Sequence, residues 1–433
     1  MDRILTWFSK CSPISLLILA VVVGLGGACG AALFHALIYL STAMFFGHDG
    51  TQSFITVVEA IPVWKRILIP TFGGLLIGII FALTKVSEAE GEGVPEVMEA
   101  LAHKKGTIRP IVAPIKIITA ALTLGSGGSA GREGPVIQIG SAIGSAIAQY
   151  TRQPAAKRGL LLAAGAAAGI GGTFGAPIAG VLFTIEILKH RSSGYLNAAV
   201  LVIAAFVGTY GARLLIEGHS GLRFISDATF SYSLKHILAF ICLSIISALI
   251  ALFFGKILGF SRYVFSKVSV PHFLKPAIGG FFIGIIGLYM PLIHEPAAYP
   301  LMIDLIAISS LPILLLFILL ILKMTATGIT LGSGGSGGIF APLLLIGAIT
   351  GSIFASALIF FNLSTVALTP LFVIFAMAAV FAGAAHAPLT AAFITYEMTE
   401  NISYLLPLLI ICFITSLMAK RLNPQSIYHT HTN

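Results

Sequence analysis

The sequence predicts an all-α polytopic membrane protein built from two related halves. Of its 433 residues, 57% are hydrophobic and only 9% are charged, and the mean hydropathy is +1.01. A soluble domain carries roughly 25% charged residues, so this chain could not cover a water-facing surface. Long apolar runs and an internal duplication complete the prediction.

Apolar runs occur throughout the chain. A helix needs about 20 apolar residues to cross the hydrocarbon core of a bilayer. Runs that reach or approach this length are residues 14–40, 67–83, 198–212, 237–255, 277–292, 311–322 and 405–417. Other apolar stretches are short or interrupted by Gly and Pro. We therefore expect complete spans together with broken helices that cross only part of the bilayer.

A glycine-rich segment is written twice. Residues 124–148 open with LGSGGSAGREGP, and residues 331–355 open with LGSGGSGGIFAP, so that six glycines and one proline recur at a constant spacing. A second pair follows, APIAGVLFTIEI at 176–187 and APLTAAFITYEM at 387–398. Glycine-interrupted segments in matching positions of two halves are typical of membrane transporters and point to the substrate site.

We expect one transmembrane domain over residues 1–433. Its first half runs to about residue 217, and its second half covers about 234–420, after a polar stretch at 218–233. Only residues 421–433 follow the last predicted span, which predicts no cytoplasmic regulatory domain. The first apolar run is longer than the core of a signal peptide, so we expect it to be retained as a span.

The net charge of +9 comes from basic residues scattered through short loops. Such loops tend to lie in the cytoplasm. Arg3, Lys10, Lys420 and Arg421 therefore predict that both termini are cytoplasmic. No long stretch interleaves basic and aromatic residues, so we expect no nucleic-acid partner.

The two glycine-rich segments predict an anion site. Each opens a predicted helix, at 135–150 and 342–361, with proline at the first helical position. Helix N-termini expose N–H groups without intrahelical partners and carry a positive dipole end. Irregular backbone survives in a bilayer only under protein or beside a watery cavity. We therefore expect the two loops to meet and bind an anion through backbone N–H groups. The alternative is that the glycines only let helices pack closely.

Glu133 lies in the first glycine-rich segment, and its counterpart in the second is Phe340. A membrane carboxylate costs about 2.5–3.5 kcal/mol on insertion scales and is usually functional. Ionised at a helix N-terminus, Glu133 would occupy the anion's place, and protonation would release it. It is a candidate gate and proton acceptor, or else a fixed capping group. Glu186 and Glu397 recur in both copies, which favours a structural role in hydrogen-bonding helix ends.

Other functions have weaker support. The GxGxxG matches lack a preceding strand with a later acidic residue, and no Lys-Ser/Thr pair follows to form a phosphate loop. The GxSxG matches lack the strand of a nucleophile elbow. No HExxH is present, and the cysteines have no metal spacing, so we expect no enzyme, no cofactor and no metal. A cation-coupled symporter stays a distant alternative, supported by the loop hydroxyls of Ser126, Ser129, Ser333 and Ser336.

These motifs resemble those of the CLC family of chloride channels and chloride/proton antiporters. GEGVP at 91–95, GREGP at 131–135 and GIFAP at 338–342 stand in the family's order, and residues 165–183 resemble its segment after GREGP. The resemblance implies a CLC-type fold with two inverted structural repeats. It also implies a homodimer with one pore per subunit, which carries chloride and similar monovalent anions and, in the antiporters, protons.

The resemblance also assigns residue roles. Glu133 is similar to the external gating glutamate, and Tyr428 to the tyrosine whose hydroxyl touches the central anion. The backbone N–H groups that would hold permeating anions lie near Arg132, Gly134, Ile339 and Phe340.

Two positions depart from the family pattern. Glu92 replaces the usual central serine among the anion-binding positions, where it could point away, stay protonated or relay protons. Ile187 stands where exchangers commonly have an internal proton-transfer glutamate, and channels often have an apolar residue there. We therefore expect chloride transport across a bacterial-type inner membrane that is channel-like or weakly proton-coupled, with a chloride/proton antiporter as the alternative.

Overall fold

The computed structural model describes residues 12–48, 53–190, 194–216, 234–294, 299–307 and 311–429. These residues form 17 α-helices joined by short connections, with two isolated backbone bridges and no β-strand among them. The predicted all-α class is therefore confirmed. The polar stretch at 218–233 and the basic residues Arg3 and Lys10 lie outside the described residues.

The helices divide into two series. The first half contains α1 (Pro13–Phe46), α2 (Phe54–Ala60), α3 (Val63–Thr84), α4 (Val94–Ala102), α5 (Val112–Gly125), α6 (Glu133–Tyr150), α7 (Ala155–Phe174), α8 (Pro177–Glu186) and α9 (Tyr195–Leu215). The second half contains α10 (Leu234–Lys267), α11 (Lys275–Tyr289), α12 (Tyr299–Ala307), α13 (Ile313–Gly332), α14 (Phe340–Phe360), α15 (Thr369–Ala385), α16 (Pro388–Thr399) and α17 (Leu405–Leu422).

Complete and partial spans coexist, as predicted. Nine helical segments of the described residues are long and apolar enough to cross a bilayer. Each of the seven apolar runs lies wholly or mostly within one of them. The apolar helices α5 and α8 have only 14 and 10 residues, too few to cross it completely.

The helices after the two glycine-rich segments begin two residues earlier than predicted. α6 starts at Glu133 and α14 at Phe340, so Pro135 and Pro342 lie within the first turn rather than at its first position. Proline is tolerated there because N–H groups of the first turn have no intrahelical acceptor.

Reciprocal packing of α3 and α11 relates the two halves. Gly74 on α3 lies against the backbone of Pro276, and Gly280 on α11 lies against the backbone of Pro70. A Cβ atom at Gly74 would approach the nitrogen of Ala277 to 2.9 Å. Exchange of equivalent contacts between two partners indicates an approximate two-fold relation, which agrees with the inverted repeats.

The centre of the molecule is formed by the helices that flank the glycine-rich loops. Most side chains of α7, α14 and α15 are buried, whereas α1, α3 and α10 each expose large apolar side chains on one face. Exposed apolar faces suit contact with lipid, and the buried helices hold the loop junction in place.

Candidate functional site

The two glycine-rich loops meet, as predicted. The N–H of Gly131 donates to the carbonyl of Gly338 at 2.7 Å, and the N–H of Gly338 donates back to Gly131 at 2.7 Å. A Cβ atom at Gly134 would lie only 2.8 Å from the Cα of Gly338. Glycine is therefore required for the two backbones to come this close.

Hydroxyl groups extend the reciprocal arrangement. The N–H of Ser129 donates to Thr330 Oγ1 at 3.1 Å, and the N–H of Ser336 donates to Thr123 Oγ1 at 3.1 Å. These four residues occupy equivalent positions in the two copies. The pairs fix the loops against the last turns of α13 and α5, so the junction is bonded on both sides.

A third segment joins the junction through Gly91. Its carbonyl accepts the N–H of Gly337 at 3.0 Å and the ammonium of Lys116 at 2.7 Å. Lys116 is fully buried and also donates to the carbonyl of Ala89 at 3.2 Å. The segment that carries Glu92 is thereby held beside the second glycine-rich loop.

The N-termini of α6 and α14 open at this junction. The first intrahelical bonds run from Val136 to the Arg132 carbonyl at 3.2 Å and from Leu343 to the Ile339 carbonyl at 3.0 Å. The N–H groups before them have no intrahelical acceptor and lie at the positive helix ends. One of them, the N–H of Ala341, donates to Glu133 Oε2 at 3.3 Å.

Glu133 is buried at the junction, with 1% of its surface exposed. Its second oxygen, Oε1, accepts a hydrogen bond from the hydroxyl of Tyr299 at the start of α12. The guanidinium of Arg132 lies 4.8 Å from the centroid of the same tyrosine ring. Tyr299 could not be predicted from the sequence, because it follows no motif and has no signal beyond a tyrosine after an apolar run.

The other predicted residues of the second loop are also buried here. The ring of Phe340 packs between Phe174 and Phe381, with centroids 4.7 and 4.2 Å away, and Ile339 is 1% exposed. The position equivalent to Glu133 is therefore filled by aromatic packing. Only the first half contributes a carboxylate to the pair of equivalent positions.

Tyr428 reaches the same region from the C-terminal segment. It is buried, and its phenol interacts electrostatically with the carboxylates of both Glu92 and Glu133. The neighbouring N–H of Ile427 donates to the carbonyl of Ala384 at 3.0 Å, which anchors the segment after α17. The structure thus brings three of the predicted site residues together.

Glu92 is buried and forms an ion pair with Arg262 of α10. Arg262 lines a cavity of 540 Å³ whose other basic residues are Lys256 and His386. The guanidinium compensates the charge that distinguishes Glu92 from a serine. Arg262 could not be predicted from the sequence either, because nothing in its local sequence indicates which residue it contacts.

Ile187 is buried and lines a smaller cavity of 230 Å³. Titratable residues surround this cavity, namely Glu186, Lys189, His386, Lys420 and His429. The ammonium of Lys189 lies 3.0 Å from His429 Nε2, and partial burial, followed by this ammonium, lowers the pKa of His429. Ile187 itself has no group that can accept a proton.

Glu186 and Glu397 hydrogen-bond helix ends, as predicted. Glu186 accepts the N–H groups of Leu389 and Thr390 at 3.0 and 2.6 Å. Glu397 accepts those of Ile178 and Ala179 at 3.0 and 2.9 Å. Each carboxylate therefore caps the helix that carries the other, α16 and α8 respectively.

The hydroxyls that supported a cation site are bound to protein groups. They contact Thr123 O (from Ser126), Thr327 Oγ1 (from Ser129), Thr330 O (from Ser333) and Ala89 O (from Ser336). In the described ranges, no group of three or more His, Cys, Asp or Glu residues could hold a metal ion.

The fold and the site together define a polytopic helical transporter whose two inverted repeats meet at paired helix N-termini. The family described as voltage gated chloride channel matches residues 73–420, and the chain belongs to this family of CLC proteins.

Relatives of known name agree with this assignment. The H(+)/Cl(-) exchange transporter ClcA of Yersinia pestis bv. Antiqua (strain Angola) is 30% identical over 96% of this chain and 87% of its own length. The protein of the same name from Salmonella paratyphi B is 31% identical over 97% of this chain and 88% of its own length.

Solved structures agree as well. A slow cyanobacterial Cl-/H+ antiporter superposes with a TM-score of 0.82 at 28% identity, covering 95% of this chain and 96% of that one. A CLC-type fluoride/proton antiporter shares the fold, with a TM-score of 0.79 at 21% identity over 96% and 97% of the two chains.

Proposed function

We propose that this protein exchanges chloride for protons across the inner membrane of a bacterium. The observation that carries the proposal is the position of Glu133. Its carboxylate accepts the N–H of Ala341 at the N-terminus of α14, where an anion would be bound. Ionised Glu133 occupies this anion seat, by which we mean the N–H groups at the N-terminus of α14. Protonated Glu133 leaves the seat to chloride, so that one group couples the two ions.

The relatives favour exchange over the channel-like transport that we expected from Ile187. The curated relatives are named as H(+)/Cl(-) exchange transporters, and the cyanobacterial structure is of a Cl-/H+ antiporter. We propose that protons reach the site from the cytoplasmic side without a glutamate at position 187. The cavity beside Ile187 offers His386 and His429 as proton-accepting groups.

Glu92 is compatible with anion passage when Arg262 is its partner. An ionised carboxylate alone would repel chloride, whereas the ion pair is close to neutral at the distance of the anion. We propose that Glu92 and Arg262 line the inner part of the path together with Tyr428. The N–H groups near Arg132, Gly134, Ile339 and Phe340 would line its outer part.

The assembly follows the family resemblance. We propose a homodimer with one path per subunit, with both termini in the cytoplasm and the two halves at about 1–217 and 234–420 in one membrane domain. Channel-like transport stays the second candidate, and the apolar side chain of Ile187 favours it.

A liposome assay separates the two functions. The purified protein is reconstituted in liposomes loaded with high chloride and diluted into low chloride at equal pH, with potassium and valinomycin to hold the membrane potential near zero. Exchange acidifies the interior as chloride leaves, and a proton ionophore collapses this gradient. Chloride efflux without acidification would indicate channel-like transport and contradict exchange.

A further inference from the structure

Tyr299 and Glu133 are joined by a hydrogen bond, so that each of the two carboxylate oxygens of Glu133 has a donor. Glu133 Oε2 accepts a main-chain N–H from α14, and Oε1 accepts the phenolic hydroxyl from α12. The main-chain donor belongs to the seat itself. The phenol is the side-chain donor, and it can be removed by deleting one oxygen atom.

The position of Tyr299 is fixed by its surroundings. It is 6% exposed, at the first residue of α12, which packs against α14 and α15. The guanidinium of Arg132 lies over its ring, 4.8 Å from the centroid. A cation over an aromatic face is attractive, so Arg132 orients the ring whose hydroxyl reaches the next residue, Glu133.

The hydrogen bond distinguishes the two protonation states of Glu133. A hydroxyl that donates to a carboxylate binds the ionised form more strongly than the protonated form. In the described residues, the other charged or titratable groups that face Glu133 are Arg132 and Tyr428. Arg132 stays charged at any relevant pH, and phenols titrate only near pH 10. The pH dependence of release therefore belongs to Glu133.

We propose that Tyr299 is a positioning residue that latches ionised Glu133 in the anion seat. The proposal rests on the proposed function, in which Glu133 is the gate. Without the phenolic hydroxyl, Glu133 accepts a proton and leaves the seat more readily. Tyr299 thereby sets the pH range in which the protein transports by acting through Glu133.

The test is the pH profile of chloride flux in liposomes containing Tyr299→Phe. This variant keeps the ring under Arg132 and deletes only the hydroxyl. Loss of the donor favours protonated Glu133, so we expect the pH of half-maximal flux to rise by about one unit, which is a tenfold change in the protonation equilibrium. At pH 7, the flux should rise several-fold. Tyr404→Phe removes a hydroxyl from a fully buried tyrosine outside the junction and should leave the profile unchanged.

A second background separates a latch from a structural role. In Glu133→Gln, no carboxylate remains to be held, so adding Tyr299→Phe should change the flux by less than a factor of about two. An equal increase in both backgrounds, or an unshifted profile in Tyr299→Phe, would overturn the latch. If Tyr299→Phe does not fold, a monofluorinated tyrosine at position 299 donates more strongly at nearly the same size and should lower the pH of half-maximal flux.

The outcomes also distinguish the latch from the gate. If Glu133→Gln keeps the parent's pH profile, then the gate assignment fails and the proposed function fails with it. If Glu133→Gln loses its pH dependence while Tyr299→Phe behaves as the parent, only the latch fails.

Discussion

Glu133 of the first half and Ala341 of the second half are joined by a hydrogen bond of 3.3 Å at the N-terminus of α14. A side chain from one repeat therefore occupies the positive helix end of the other. In the proposed function, an anion needs the same donor as this carboxylate, so only one of them can be present at a time.

Glu133→Gln should end proton movement and leave chloride movement. The amide keeps the size of the side chain but cannot take up a proton or compete with chloride as an anion. We expect no chloride-driven acidification of liposomes, together with chloride efflux that is nearly independent of pH between 4.5 and 7.5 (about the range in which a perturbed carboxyl titrates). A steep pH dependence in this variant would contradict the gate.

Arg262→Met should slow chloride transport strongly. It leaves Glu92 without the guanidinium, and a chloride roughly 5 Å from an uncompensated carboxylate meets about 3 kcal/mol of repulsion at an effective dielectric constant near 20. We expect a loss of flux of about ten- to a hundredfold, measured with a chloride electrode. Glu92→Ser in the same chain should restore most of it. The matched control is Lys256→Met, which removes an exposed cation from the same cavity.

Glu397→Ala should destabilise the fold. It leaves the N–H groups of Ile178 and Ala179 without their acceptor, and a hydrogen bond to a charged group contributes about 1.5–3 kcal/mol. The melting temperature in detergent should fall by several degrees. Glu59→Ala, which removes an exposed carboxylate, should leave it within one or two degrees. Equal melting temperatures for both variants would show that the cap contributes little.

Gly134→Ala should disrupt the junction. The new Cβ atom would lie 2.8 Å from the Cα of Gly338, and backbone atoms cannot move aside without opening the loops. We expect chloride flux to be lost or a stable protein not to be obtained. The control is Gly259→Ala on α10, where no atom lies within 4 Å of the added carbon, and the flux should be that of the parent.

His429 should make the fold sensitive to acid. Burial and the Lys189 ammonium lower its pKa in the folded protein, so below about pH 6.5 the unfolded chain binds the proton more readily and stability falls. His429→Gln keeps an acceptor for Lys189 without this proton. The drop in melting temperature between pH 7.5 and 5 should be smaller in His429→Gln than in the parent. Exposed His103→Gln should show the parent's drop.

Repetition made much of the fold and part of the site predictable. Because the glycine-rich loops are written twice, the sequence itself indicates that they meet, where the helices after them start to within two residues, and that Glu186 and Glu397 hydrogen-bond helix ends. Periodic apolar runs likewise indicate the spans. These signals are local or duplicated, and each could be read without knowing distant contacts.

The two residues that could not be predicted are neither close in sequence to their partners nor present in both halves. Tyr299 and Arg262 lie 166 and 170 residues from the carboxylates that they contact. Each belongs to one half alone, so neither repetition nor spacing indicates its partner. The names of the relatives favour coupled exchange over the channel-like transport that Ile187 suggested. Ile187 is one position, whereas the cavity beside it is also lined by His386 and His429, which are distant in sequence from it.

The donors at the ends of α6 and α14 are peptide groups, which every amino acid except proline supplies. If these groups bind a halide, as proposed, replacing the side chains of Ile339 or Ala341 leaves its ligands in place, and only a proline, which has no N–H, would delete one outright. Over evolutionary time, preference among small anions at this seat would change through shifts of the main chain and of the groups that compete for it. A random library screened for altered halide preference should accordingly be enriched in substitutions at the glycines and at the partners of the carboxylates.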